Sequence, residues 1–168
     1  MRFDLTQRFA HDHRTVSQAY ADPDLYPTLV GLPKLGGITV LDRDQASHDR
    51  VRLRIRFAFT GDLPTAATAI VDPARLTWVQ ESDHDLVSGR ATFRLVPDHY
   101  PDRLQASGTF VVTPGQADGR ATRSVSGELK VRALLVSGKV EQAIISGLAE
   151  YLAAEAPAVD AYVSGAQG

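Results

Sequence analysis

The chain has 168 residues, 18 Lys and Arg against 20 Asp and Glu, a formal net charge of -2 and no cysteine. This is one ordinary domain by length, and it excludes a disulfide scaffold, a thiolate metal site and a cysteine nucleophile. Residues 1–84 hold 10 basic and 11 acidic side chains and the remainder 8 and 9, so no basic half marks a nucleic-acid surface, and no apolar run reaches the ~18 residues of a membrane span.

Residues 2–9 alternate as a strand, with Phe3 and Leu5 on one face and Arg2, Asp4, Thr6 and Arg8 on the other. This opening lacks the apolar core of a signal peptide, which predicts a cytoplasmic protein. Residues 12–20 read as a short helix. Pro23 fits the first turn of a second, kinked or shortened by Pro27 and ended by Gly31 and Pro33.

After the breaker Gly36-Gly37 the chain turns β-rich. Val51, Leu53, Ile55, Phe57 and Phe59 alternate with Arg52, Arg54, Arg56 and Ala58, the pattern of an antiparallel strand with one wet face. Pairing 38–46 with 51–59 leaves two registers open. One turns Asp42 and Asp44 inward with Ile38 and Val40; a one-residue shift turns them out. A small helix is predicted at 62–71, between Asp62-Leu63-Pro64 and Asp72-Pro73.

Four strands follow. A Ser88-Gly89 turn pairs Leu86 with Ala91, His84 with Phe93 and Ser82 with Leu95. An Asp118-Gly119 turn pairs Val112 with Val125, Phe110 with Gly127 and Gly108 with Leu129, and sets Arg123 opposite Pro114 near the hairpin end. The last element is a helix from about Ser137 to Ala156. Val140, Ala143, Ile144, Gly147, Leu148, Tyr151 and Leu152 form its apolar stripe; Pro157 ends or kinks it, and Val159–Val163 can continue it. Residues 1–163 are read as the domain and 164–168 as a polar tail.

Strand, two short helices, six strands and a long helix make an α+β layer arrangement, with a seven-stranded antiparallel sheet curled around the C-terminal helix. This order resembles the helix-grip fold of the START-like (SRPBCC) superfamily, which includes birch-pollen-allergen-like proteins and bacterial polyketide cyclases. Details resemble an uncharacterised actinobacterial family within it. They are Trp78 in Leu76-Thr77-Trp78-Val79-Gln80-Glu81-Ser82, the turn Val96-Pro97-Asp98-His99-Tyr100, Gly127-Glu128-Leu129-Lys130-Val131, and Ser137-Gly138-Lys139-Val140-Glu141. The resemblance implies a cavity between sheet and helix that takes an apolar small molecule, and fold alone licenses no reaction.

The inward strand faces supply the lining: Phe57, Phe59, Trp78, Phe93 and Phe110, joined by Tyr151 from the helix, with Ala91, Ala106, Gly108 and Gly127 leaving room. Inward polar positions are Gln80, His84 and Arg123. His84 suits a ligand carbonyl or acid–base work, and Arg123, placed at a rim, suits a carboxylate or phosphate head. The expected function is binding or transport of a lipid, polyketide or isoprenoid-like ligand without a cofactor, metal or nucleic acid. Two other readings stand beside it: a cyclase- or hydratase-type enzyme in the same cavity, and a protein-interaction module using the exposed sheet face with its Arg52, Arg54 and Arg56 stripe.

Overall fold

Period-two alternation decides where each strand puts its bulk. A computed structural model describes residues 1–63, 65–68, 72–115, 119–132 and 137–166, without the side chains of 66 and 67. Its strands are β1 (Arg2–Asp12), β2 (Leu35–Ser47), β3 (Arg50–Phe59), β4 (Thr77–Asp85), β5 (Arg90–Pro97), β6 (Leu104–Pro114) and β7 (Arg120–Val131). They form one antiparallel sheet in the order β1-β7-β6-β5-β4-β3-β2. Helix α1 (His13–Tyr20) and a 3-10 turn (Pro23–Thr28) follow β1, and the one-turn helix α2 (Thr65–Thr68) follows β3. Helix α3 (Ser137–Ala166) closes the fold and packs chiefly on β1 and β7. Of the helix predicted over 62–71, residues 62 and 63 are not helical, and 64 and 69–71 lie outside the described residues.

In β3, Val51, Leu53, Ile55 and Phe57 are buried and the intervening arginines exposed. Each such buried side chain is worth about 1.5–3 kcal/mol relative to exposure. The arginines meet carboxylates: on the neighbouring strands, Arg52 with Asp44 and Asp83 at 3.6 and 3.4 Å and Arg54 with Glu81 at 3.3 Å; just past the end of β5, Arg56 with Asp98 at 2.9 Å. Asp42 and Asp44 lie in this outer layer, opposite Arg54 and Arg52. A register shift between Val40 and Asp42 makes this happen. It keeps Val40 paired with Ile55 and rotates the strand beyond it.

Both predicted hairpin registers are displaced by two residues. Asp85, not Val87, is the last residue of β4 paired with β5, and it lies opposite Arg90. Its carboxylate accepts the N–H groups of Val87 and Ser88 at 3.0 and 3.1 Å, which starts the turn early, and Gly89 closes it at φ +66°. His84 therefore faces Ala91, and Phe93 faces Ser82. At the β6–β7 end, Pro114 pairs with Ala121 and the Gly115 N–H donates to the Arg120 carbonyl at 2.6 Å. Asp118 lies outside the described residues. Phe110 then faces Val125, and Arg123 faces Val112. A two-residue slip preserves parity, so the inward faces stand while the partners change.

Two further expectations change. The glycine pair Gly108–Gly127 leaves no open room, because the rings of Phe93 and Phe3 occupy the space above it, 2.9 Å from where a Cβ would sit. Helix α3 also runs through Pro157 to Ala166, so residues 164–166 are helical. Pro157 removes one hydrogen bond, to the carbonyl of Ala153. Both residues are exposed, so water can take that carbonyl, while buried Ala156, Val159 and Val163 hold the helix down.

Candidate functional site

A cavity of about 240 Å³ lies between the sheet and α3. Phe57, Phe59, Trp78, Gln80, Phe93, Phe110, Arg123 and Tyr151 all line it, as do Leu129, Ile144, Leu148 and Leu152. The rings are ordered: Phe57 stacks on Trp78 with centroids 6.0 Å apart, and Phe93 on Phe110 at 4.4 Å. Of the small residues, Ala106 borders the space; Ala91, Gly108 and Gly127 do not.

His84 is not part of the lining. The hairpin register sets it between Val51 and Ala91, buried, with Nε2 2.9 Å from Ser82 Oγ. Burial first, and the charge of Arg123 second, lower its pKa to about 4, so the ring is neutral at pH 7.

The inner end of the cavity is polar. Arg123 is 4% exposed, not at a rim, because β7 sits two residues deeper than its turn suggests. Its guanidinium lies 3.8 Å from the Tyr20 ring centroid and 4.2 Å from that of Phe110. Its Nη1 donates to Gln7 Oε1 at 2.7 Å and to Glu155 Oε2 at 3.2 Å. The same carboxylate oxygen accepts from Gln7 Nε2 at 3.0 Å and Tyr20 OH at 2.8 Å; Glu155 Oε1 accepts from Tyr151 OH at 3.0 Å.

Helix α1, capped by the Asp12 carboxylate on the Arg14 and Thr15 N–H groups, delivers Tyr20. The 3-10 turn delivers Tyr26, whose hydroxyl donates to the Tyr20 carbonyl at 2.7 Å. Burial, then Glu155, pushes the Tyr151 hydroxyl far above its usual pKa. Burial raises Tyr20 and Tyr26 as well, against the pull of Arg123. All three phenols are donors at neutral pH. Glu155 accepts from four donors and neutralises Arg123, so neither is a ready general base or a receptor for an anion, while the buried Arg123 Nε has no hydrogen-bond partner among the described residues.

The sequence reading missed Gln7, Tyr20, Tyr26 and Glu155. Two left a signal. Gln7 shares the parity of Phe3 and Leu5, and Glu155 stands four residues after Tyr151, on the apolar stripe of α3. At the opposite, solvent-facing end the lining includes Lys34, Arg75, His99, Tyr100 and Arg103, in loops where the sequence predicts only a rigid turn. No helix among the described residues is long and apolar enough to cross a membrane.

Seven antiparallel strands against a long C-terminal helix, with a cavity between, are the helix-grip fold class seen in START-like (SRPBCC) proteins. Solved structures share the architecture. The protein TTHA0849 from Thermus thermophilus is similar over the whole of both chains, at 15% identity and a TM-score of 0.69. The Zhui aromatase/cyclase from a Streptomyces species is similar at 15% and 0.62, over 98% of this chain and 93% of that one. Norcoclaurine synthase from Thalictrum flavum is similar at 18% and 0.63, over 97% and 86%. Identities this low establish the fold alone. A search among curated proteins finds no match. Within the class, residues 4–163 match the family described as a protein of unknown function, DUF2505, and the chain belongs to that family.

Proposed function

We propose that the protein binds an apolar or amphipathic small molecule, lipid-, polyketide- or isoprenoid-like, in the cavity between the sheet and α3. The supporting observation is the lining itself: aromatic and aliphatic side chains from the strands and α3, around a space that the Arg123–Glu155 network bounds at its inner end. Affinity comes from burying ligand surface at about 25 cal/mol per Å². An enzymatic reading draws support from the Tyr151–Glu155 hydrogen bond on the cavity wall and from the fold shared with an aromatase/cyclase and a synthase. It requires a ligand that displaces one of the donors now saturating Glu155.

Native mass spectrometry of protein purified from its natural host, before and after organic extraction, tests the proposal. An apolar adduct removed by extraction supports it. A clean mass, together with an unchanged Trp78 fluorescence on titration with apolar probes, overturns it; Trp78 is the single tryptophan and lines the cavity.

A further inference from the structure

The two ends of the cavity differ in charge. At the inner end the charge of Arg123 is matched by Glu155 at 3.2 Å; its Nε, without a hydrogen-bond partner among the described residues, offers a donor but no uncompensated charge. At the open end Arg75 and Arg103 both lie against the Tyr100 ring, their guanidinium carbons 5.5 and 5.8 Å from its centroid. Arg75 Nη2 is 3.2 Å from His99 Nδ1, and among the described residues Arg75 has no carboxylate partner, so the uncompensated charge is that of Arg75; Arg103 makes a further interaction of its own. Lys34, on the same lining, is paired with Glu150 at 3.2 Å.

The backbone marks the same place. Among the described residues, Lys34 at φ 68° and Tyr100 at φ 57° are the non-glycine positions in the left-handed region, and both line the cavity. Side chains avoid that region unless their surroundings hold them there, and such positions gather at ligand clamps. The Tyr100 hydroxyl accepts the Asp72 N–H at 3.3 Å, which ties the ring to the segment carrying Arg75. The arginine pair is thereby held over one side of the opening.

From this asymmetry we infer that the ligand is an amphiphile with an anionic head, a carboxylate or a phosphate. The head sits at the open end between Arg75 and Arg103, and the apolar body points toward Arg123. This rests on the cavity-binding reading and adds the ligand's charge and direction. Arginine suits both head chemistries through charge-assisted hydrogen bonds.

The test compares decanoate, decyl phosphate, methyl decanoate and decan-1-ol by calorimetry and Trp78 fluorescence. Decanoate or decyl phosphate is expected to bind at least about tenfold tighter than the ester and the alcohol, an advantage that shrinks with added salt. The stronger of the two anions identifies the head. Arg75→Gln with Arg103→Gln is expected to bring the ratio to about one while the ester binds as before; both side chains are exposed, so folding is not at stake. Arg50→Gln with Arg94→Gln, an equal loss of charge on the outer face, is expected to leave the ratio unchanged. An ester that binds as tightly as the acid, or a preference that survives the double substitution, overturns the inference while leaving the cavity reading intact. Failure of all four probes to bind overturns both.

Discussion

The outer face of the sheet and the inner end of the cavity use the same residue types to opposite effect. Outside, Arg50, Arg52, Arg54, Arg56 and Arg94 interleave with Asp83, Glu81, Asp44 and Asp98 in a solvated ladder. Each rung is open to water, and water screens it. Inside, one arginine and one glutamate are buried, and Gln7, Tyr20 and Tyr151 supply further hydrogen bonds to them. The number of ion pairs says little about what either region contributes. Exposure sets whether losing a partner is trivial or severe.

The largest expected effect breaks the inner pair. Glu155→Leu strands a buried guanidinium, and Arg123→Met strands a buried carboxylate; each is expected to destabilise the fold by about 3–5 kcal/mol. The double substitution is expected to recover only the part of that loss due to the unpaired charge, because Gln7, Tyr20 and Tyr151 still lose their acceptor. Urea denaturation of the three variants reads the pattern, and simple additivity would remove the distinction between the two regions.

A second, smaller effect uses Asp83 and His84, sequence neighbours on opposite faces of β4. The folded pKa of His84 is depressed to about 4 from an ordinary value of 6.5. Its contribution is therefore complete above about pH 6.5 and is lost as the pH falls toward 4, since the unfolded chain takes up the proton first. His84→Gln is expected to flatten the stability profile between pH 7 and 4 by ~3 kcal/mol relative to the parent. Parallel profiles would place the acid sensitivity elsewhere. The smallest effect lies on the ladder: Arg54→Ala is expected to change stability by less than about 1 kcal/mol, and less still in 1 M salt.

How much of this was legible in the sequence follows from which physical signal each residue carries. Strand faces were legible because alternation is local, and a slip of two residues leaves it intact. That is why Phe57, Trp78, Phe93 and Phe110 reach the cavity although their cross-strand partners differ from those expected. Depth was not legible. It depends on where a hairpin turns, and a carboxylate such as Asp85 can start the turn two residues early. Arg123 consequently reads as a rim residue and lies in the core, and His84 reads as a pocket residue and lies beneath the hairpin. Glu155 was hidden for another reason. A single glutamate near the end of an apolar stripe is ordinarily solvated, and three of its donors come from β1, α1 and β7, far away in the chain. The open end of the cavity was hidden because Lys34 and Arg103 belong to loops and Arg75 to a single 3-10 turn, Pro73–Arg75, none of which has a period to read.

The order of the strands has a consequence for how the molecule comes into being. The first strand to be synthesised, β1, has a single neighbour in the sheet, β7, the last; Arg2 lies opposite Glu128. On the ribosome β1 must wait, unpaired, while the meander from β2 to β7 is made. The closing step joins distant parts of the chain, which slows folding and lengthens exposure to aggregation. Arg2, Asp4 and Arg8, spaced along its outer face, are the kind of charges that keep a lone strand from pairing with the wrong neighbour.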